Sequence, residues 1–259
     1  MLVTDGLVVE REGAVVWCVL DRPPLNVLEP GLIGALGETF AELARDRSVR
    51  AAVLTGHGRA FTAGMDVRVL GAQDVAGAKR LITALHAAIE AVHHAPFPVI
   101  AALNGACLGA GLELALACDL RVAVTAARLG LPEVRVGVPS VIEAALLPLL
   151  VGPGRAAELL LSGEAIAAAQ ALEWGLVNRV VAPERLRDAV EELLGKILAG
   201  GPEAIRLQKE LMIAWRYADL RTAVRYGINA FASAYATGEP AEGARAFLEK
   251  RAPRFENAP

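Results

Sequence analysis

Residues 104–113 read NGACLGAGLE, and this glycine-rich stretch decides how the middle of the chain folds. The apolar run before it, residues 98–103, is typical of a buried strand, and a helical pattern begins at its end. Glycine allows a backbone to approach a ligand closely, and the first N–H groups of a helix lack partners within that helix. The stretch therefore predicts a strand, a turn and a helix start whose N–H groups can face negative charge.

A second stretch has the same character. Residues 56–66 read GHGRAFTAGMD and follow an apolar run at 51–55. Two such stretches that point at one place would form an anion or oxyanion site from backbone N–H groups alone. Taken singly, each is also explained as a tight connection between a strand and the next element.

Strand and helix patterns alternate around these stretches over the first two-thirds of the chain. The strand patterns lie at 7–10, 14–20, 51–55, 98–103 and 119–124, and the helical ones at 32–43 and 75–94. Beyond residue 154 helical patterns dominate, with one interruption at 176–181. We therefore predict an α/β fold, with a mixed core over residues 1–190 and a helical region over residues 191–259.

Composition and charge exclude several classes of protein. The net charge of −3 leaves no basic footprint for nucleic acid. Three cysteines without a C-x-x-C pair suit neither a disulfide scaffold nor zinc, so we expect buried thiols and no metal. No apolar leader is visible near residue 1, and the uncharged stretch 95–112 contains prolines and glycines that argue against a membrane span. We expect a cytoplasmic protein that does not bind membranes.

Common phosphate-binding and nucleophile motifs are absent. A dinucleotide fingerprint requires a third glycine at the position of Leu114, and the sequence contains neither a Walker-type G-K-[ST] nor a G-x-S-x-G motif. What remains is a backbone-donor site without an obvious covalent nucleophile. Paired carboxylates are the natural partners of such a site.

Several motifs together resemble the crotonase (enoyl-CoA hydratase/isomerase) superfamily. Residues 104–113, followed by Leu131-Pro132-Glu133, look like its signature, and residues 61–66, FTAGMD, resemble its first oxyanion loop. Further agreement at 22–26, at 175–178 and at 247–255 extends the resemblance over essentially the whole chain. It implies an α/β crotonase-like spiral of ββα-type repeats with a helical C-terminal trimerisation region, assembled as a homotrimer or as a hexamer of two trimers.

The resemblance also implies the residues of the site. The backbone N–H groups of Met65 and Ala110 would hold the thioester oxygen of a bound acyl-CoA, while Glu133 activates water and Glu113 supplies a proton. The spacing agrees in one respect, because Ala110 and Glu113 lie three residues apart at a helix start and so share a face. The residues that the resemblance implies for coenzyme A are Arg22, Leu25, Arg59, Ala63 and Lys250. Coenzyme A is then part of the substrate, and no metal or redox cofactor is expected.

The implied activity is hydration of a 2-enoyl-CoA thioester to a 3-hydroxyacyl-CoA. Double-bond isomerisation, thioester hydrolysis and decarboxylation use the same oxyanion site with other demands on the carboxylates, so these reactions stay open. A non-catalytic protein on the same scaffold, including one that binds RNA, is a further hypothesis, although no Lys- or Arg-dense helix is present. Solvated surface charge is an equally good explanation of Arg59 and Lys250.

The sequence departs from the family pattern close to the two glutamates. Ala110 stands where the family has the middle glycine of a Gly-Gly-Gly run, and residues 137–143, GVPSVIE, replace a longer glycine-rich segment. Within that segment Ser140 and Glu143 have the spacing of a capping box, which predicts a helix start rather than a third catalytic carboxylate.

Two other charged residues adjoin the predicted site. Arg135 follows Glu133 by two residues, so in an extended stretch both side chains would share a face and the arginine would favour the ionised carboxylate. Asp66 directly follows Met65, at a position where the family often has an acidic residue, and a cap on the next helix explains its side chain at least as well as a role in the site.

Overall fold

The computed structural model describes residues 2–255 of the chain. Strands and helices alternate at first and helices dominate later, as the sequence patterns predict. The strands are β1 (Leu2–Thr4), β2 (Leu7–Glu12), β3 (Val15–Leu20), β4 (Ala51–Gly56), β5 (Ala60–Thr62), β6 (Val99–Leu103), β7 (Ala106–Leu108), β8 (Leu120–Val124), β9 (Arg128–Gly130), β10 (Ile166–Ala167) and β11 (Arg179–Val181).

The helices are interspersed with the strands up to residue 181 and follow one another after it. They are α1 (Pro30–Leu43), α2 (Val67–Gly71), α3 (Val75–His93), α4 (Ala110–Ala117), α5 (Leu147–Val151), α6 (Pro153–Ser162), α7 (Ala168–Glu173), α8 (Leu186–Leu198), α9 (Pro202–Trp215), α10 (Leu220–Ala234) and α11 (Glu239–Leu248). Short 3₁₀ turns lie at Pro132–Val136, Glu143–Leu146 and Pro183–Arg185. None of the helices in residues 2–255 is long and apolar enough to cross a membrane.

The strands form two sheets that the chain visits alternately. The larger sheet has the order β1-β2-β3-β4-β6-β8-β11, antiparallel from β1 to β3 and parallel from β3 onward. The smaller sheet has the order β10-β9-β7-β5, with β9, β7 and β5 parallel. The chain passes from β4 to β5 to α2, and again from β6 to β7 to α4. This repetition confirms the α/β spiral of ββα-type repeats.

The larger sheet is covered on both faces, which explains why its parallel strands are mainly apolar. Every residue of β6 is buried. One face contacts the main hydrophobic core, and the other contacts α8 through Ala189, Val190 and Leu194. The cysteines are buried and unpaired, as predicted: Cys18, Cys107 and Cys118. The division of the chain at residue 190 stays a prediction, and α8 spans it.

Helices α9 to α11 form the predicted helical C-terminal region, and buried polar contacts join it to the core. Lys209 of α9 donates from Nζ to the Asp119 carboxylate at 2.8 Å and to the Phe97 carbonyl at 2.9 Å. Glu239, the first residue of α11, accepts from the N–H groups of Glu203 and Ala204 at the start of α9. The helices are therefore fixed to the core and to each other.

Helix α10 carries large apolar side chains on its outer surface. They are spaced three or four residues apart and are Leu220, Val224, Ile228 and Phe231, followed by Tyr235 directly after the helix end. This spacing places them on one side of the helix, and an exposed apolar face of this kind is typical of a protein interface. Trimerisation through this region stays a prediction.

Candidate active site

The two glycine stretches, residues 56–66 and 104–113, meet in the structure. Their short strands β5 and β7 are parallel neighbours, so the chain leaves the smaller sheet at the same edge both times. A Cβ atom added to Gly64 would lie 2.7 Å from the Leu108 carbonyl oxygen and 3.3 Å from the Ala110 nitrogen. Glycine at position 64, with a φ of +85°, therefore lets the two backbones touch and brings the next residue, Met65, close to Ala110.

Ala110 occupies a helix start that leaves its N–H available. It is the first residue of α4, so its N–H has no acceptor within that helix. Gly109 before it has a φ of 57° and a ψ of −132°, an irregular conformation that directs the chain into the helix. The partial positive charge of the helix N-terminus consequently lies beside Gly64 and Met65.

The first glycine stretch is held from behind by a buried asparagine. The Asn26 amide donates to the carbonyl oxygens of His57, at 2.9 Å, and Ala60, at 2.8 Å. Its own carbonyl oxygen accepts from the Arg22 N–H at 3.0 Å. Farther along, the Ala63 N–H donates to the Leu25 carbonyl at 2.9 Å. These contacts fix the backbone that carries Met65, and nothing in the local sequence pattern predicted the role of Asn26.

A cavity of about 460 Å³ opens where the two stretches meet. Predicted site residues line it together: Ala63, Met65, Ala110, Glu113 and Glu133. Its walls are mainly apolar and include Val67, Leu70, Leu81, Ile82, Val136, Val138 and Val141. The arrangement is suited to an apolar chain whose polar end reaches the backbone N–H groups and the two carboxylates.

Glu113 lies in the first turn of α4 and is almost completely buried, with 2% of its surface exposed. Its Oε1 accepts from the backbone N–H groups of Ile142, at 3.1 Å, and Ala144, at 2.9 Å. Burial raises the pKa of this carboxyl to about 7, although the two N–H contacts act in the opposite direction. A carboxyl with this pKa is partly protonated at neutral pH, as a general acid must be.

Glu133 has different surroundings. It lies in the 3₁₀ turn Pro132–Val136 and is half-buried. The Ser140 hydroxyl donates to its Oε2 at 2.8 Å. Its Oε1 lies beside the second glycine stretch, because a Cβ atom added to Gly109 would be only 2.7 Å from that oxygen. Two carboxylates with unequal environments therefore face one cavity, which is the usual basis for separate acid and base roles.

The predicted capping box at Ser140 and Glu143 is wrong. The residue before the 3₁₀ turn Glu143–Leu146 is Ile142, and no side chain caps this turn. The Ser140 hydroxyl instead donates to the Glu133 carboxylate, because a hydrogen bond to a carboxylate is stronger than one that a hydroxyl accepts from a backbone N–H. Glu143 is buried and its Oε1 lies 2.8 Å from Nδ1 of His86, a pair that the sequence did not indicate.

The predicted contact between Arg135 and Glu133 is also wrong. The stretch is a 3₁₀ turn with three residues per turn, so residues two apart point in different directions. Arg135 donates to the Ser162 carbonyl at 3.0 Å and pairs with Glu164 at 3.1 Å.

The interpretation of Asp66 as a helix cap is confirmed. Its carboxylate accepts from the Arg68 N–H at 2.8 Å at the start of α2. Hydrogen bonds from the Arg68 side chain lower the pKa of Asp66 to about 2. Asp66 is not among the residues that line the cavity.

The residues assigned to coenzyme A are spread more widely than the carboxylates. Ala63 lines the cavity, and the Leu25 carbonyl accepts a hydrogen bond from the Ala63 N–H. Arg22 pairs with Glu29, and Arg59 is exposed in the first glycine stretch. Lys250 is exposed beyond α11 and lies outside the cavity lining. Within residues 2–255 no group of three or more His, Cys, Asp or Glu side chains is placed to hold a metal ion.

Comparisons with known proteins agree with this architecture. The family model described as enoyl-CoA hydratase/isomerase matches residues 10–258. The short-chain-enoyl-CoA hydratase of Clostridium acetobutylicum is 33% identical over 250 residues, which cover 95% of this chain and 96% of that protein. The crotonyl-CoA hydratase of Syntrophomonas wolfei is 35% identical over 257 residues, covering 97% and 98%.

A solved structure has the same fold over nearly its whole length. The crystal structure of an enoyl-CoA hydratase from Bacillus anthracis has a TM-score of 0.94 and 34% sequence identity, and the match covers 97% of this chain and 99% of that one. The sequence match, the shared fold and the paired glycine stretches lead to one conclusion: this chain belongs to the enoyl-CoA hydratase/isomerase family of the crotonase superfamily.

Proposed function

We propose that this chain is an enzyme that hydrates 2-enoyl-CoA thioesters to 3-hydroxyacyl-CoA thioesters. One observation carries the proposal: Glu113 and Glu133, in unequal environments, face the same apolar cavity beside the two glycine stretches. The family includes relatives named for this reaction, and both carboxylates that a hydratase requires are present.

The backbone N–H groups of Met65 and Ala110 hold the thioester oxygen in this mechanism. When water adds to the β-carbon, the electron pair of the double bond moves toward the carbonyl and negative charge develops on that oxygen. Donors already in place stabilise this charge without reorganisation, and removal of one such donor typically costs about 2.7–4 kcal/mol. The thioester therefore binds with its oxygen toward the start of α4.

The two glutamates exchange protons with water and substrate. Glu133 takes a proton from a water molecule through Oε1 while the water oxygen bonds to the β-carbon. Glu113 uses Oε1 to accept two backbone N–H groups, so its Oε2 is free to carry the proton that goes to the α-carbon. The products are a 3-hydroxyacyl thioester, a protonated Glu133 and an ionised Glu113, and proton exchange with solvent restores the starting state.

Coenzyme A enters as part of the substrate, and the proposed chemistry uses no metal or redox cofactor. We assign its binding to Arg22, Leu25, Arg59, Ala63 and Lys250. The apolar face of α10 supports a homotrimer or a hexamer of two trimers. The unpaired cysteines support a reducing, cytoplasmic location.

Loss of conjugated-thioester absorbance tests the proposal. Wild-type protein is mixed with 2-enoyl-CoAs of increasing chain length, beside Glu113→Gln, Glu133→Gln and the exposed control Glu164→Gln. We expect rapid loss with wild type and the control, and a decrease in kcat of about 10²–10⁴-fold in each of the other variants.

Other outcomes point to other reactions. Activity that survives Glu133→Gln but not Glu113→Gln contradicts hydration and indicates single-base isomerisation. Protein that binds acyl-CoA without loss of absorbance at any chain length is to be tested for isomerisation, thioester hydrolysis and decarboxylation. Retention of acyl-CoA without any turnover indicates a binding protein.

A further inference from the structure

The Ser140 hydroxyl is the side-chain group that holds the Glu133 carboxylate. The two are joined by a hydrogen bond of 2.8 Å, both are half-buried, and both line the cavity. Ser140 lies in the part of the sequence that departs from the family pattern, so neither the resemblance nor the general mechanism assigns it a role.

The contact separates the functions of the two Glu133 oxygens. Oε2 accepts from Ser140, whereas Oε1 lies against Gly109, next to the N–H of Ala110. Rotation of the carboxylate would break the bond to Ser140. The hydroxyl therefore keeps one oxygen directed at the place where the substrate carbonyl and the attacking water meet.

The backbone explains how Ser140 returns to a residue seven positions earlier. Gly137 has a φ of +84° and ends the 3₁₀ turn that carries Glu133, and the Val138 N–H then donates to the Glu133 carbonyl at 3.2 Å. The chain thus folds back over Glu133 before it continues to Ile142, whose N–H binds Glu113. One short segment, residues 137–144, consequently contacts both carboxylates.

We propose that Ser140 is a positioning residue for the base. This role depends on the proposed hydration: Ser140 acts through Glu133 and orients its Oε1 toward the attacking water. Ser140 does not exchange a proton with the substrate. Its loss leaves the Glu133 carboxylate free to rotate, which lowers the rate of the chemical step more than it weakens substrate binding.

Steady-state kinetics with Ser140→Ala and Ser140→Thr test this role. We expect kcat to fall about 10- to 100-fold in Ser140→Ala with KM within about threefold of wild type, because small misplacements of a reacting group have effects of this size. Threonine retains the hydroxyl, so Ser140→Thr is expected to recover most of the rate. Ser48→Ala, outside the cavity lining, is the matched control and is expected to match wild type.

A double variant separates positioning from a direct action on the substrate. Ser140→Ala is expected to cause no further loss in a Glu133→Gln background, since a residue that acts through Glu133 has nothing left to orient. An unchanged kcat in Ser140→Ala, or an equal loss with and without Glu133, overturns the proposal.

Crystal structures of wild type and Ser140→Ala test the positioning role of Ser140 separately from the proposed hydration activity. If wild type hydrates no enoyl-CoA, the proposed function fails, and the orientation of Glu133 is then judged from the two structures alone. A carboxylate that turns away from Gly109 in the variant supports positioning by Ser140, and one that stays in place overturns it.

Discussion

The two sides of the cavity are constructed in different ways. On the oxyanion side, residues 56–66 and 104–113 present backbone N–H groups, and glycines bring the two backbones into contact. On the carboxylate side, Glu113 and Glu133 are oriented by residues 137–144, a segment with little regular structure. The first side depends on backbone geometry and the second on a few side-chain contacts, so substitutions on the two sides should have different effects.

Apart from substitution of the two glutamates themselves, the largest effect is expected from removal of an oxyanion donor. Proline at position 110 removes the N–H but suits the first position of a helix, so Ala110→Pro should fold and lose about 10²–10³-fold in kcat/KM. Ala110→Gly, which keeps the N–H, is the matched control and should stay within a few-fold of wild type. Hydration assays measure kcat/KM of the two variants, and thermal unfolding shows whether each variant is folded. Equal activity in both variants would mean that Ala110 is not a donor and that the oxyanion side needs another explanation.

A smaller effect concerns the stability cost of the buried acid. Glu113 has a pKa of about 7 in the folded protein against 4.5 ordinarily, so the folded state holds its proton over a window in which the unfolded state has lost it. The free energy of unfolding therefore decreases as pH rises through this window, by about 3 kcal/mol for this group. Glu113→Gln avoids this cost, because its amide oxygen can still accept the two N–H groups.

Denaturant unfolding at pH 5 and pH 8 measures this difference. We expect Glu113→Gln to be more stable than wild type by about 1–3 kcal/mol at pH 8, and to lie within about 1 kcal/mol of wild type at pH 5. The exposed Glu164→Gln is the control for removal of a carboxylate from the surface. A stability difference that is the same at both pH values would contradict the assignment of the raised pKa to Glu113.

The smallest effect on activity is expected from substitution of Arg135, which tests whether this residue belongs to the carboxylate side. Because its side chain is directed at Ser162 and Glu164, Arg135→Ala should leave kcat and its pH profile within about twofold of wild type. A shifted pH profile would mean that the arginine reaches Glu133 during the reaction, and that the carboxylate side extends farther than the structure indicates.

The difference between the two sides also explains what the sequence could predict. The glycine stretches were interpretable because each follows a buried strand, and neighbouring parallel strands bring their ends to one edge of a sheet. The helix bounds followed from periodicity, and α3 ends within one residue of its predicted end. Both observations depend on short-range patterns.

The carboxylate side was harder to predict because its contacts join residues that no local pattern connects. Ser140 and Glu143 have the spacing of a capping box, but Glu133 and His86 compete successfully for their side chains. The prediction for Arg135 assumes an extended stretch, whereas the residues form a 3₁₀ turn. The residues assigned to coenzyme A stay predictions, since their role depends on contacts with a molecule rather than with the fold.

The close approach at Gly64 and Gly109 has a consequence for how this site can diversify. A Cβ atom at position 64 would lie 2.7 Å from the Leu108 carbonyl oxygen, and Gly109 has a positive φ and lies against Glu133, so larger residues are disfavoured at both positions. The apolar wall formed by Val67, Leu70 and Leu81 has no such contact with the reaction centre, and single substitutions there can lengthen, shorten or reshape the space for the acyl chain. A descendant of this protein can therefore acquire a new substrate range one mutation at a time while its reaction centre is inherited unchanged.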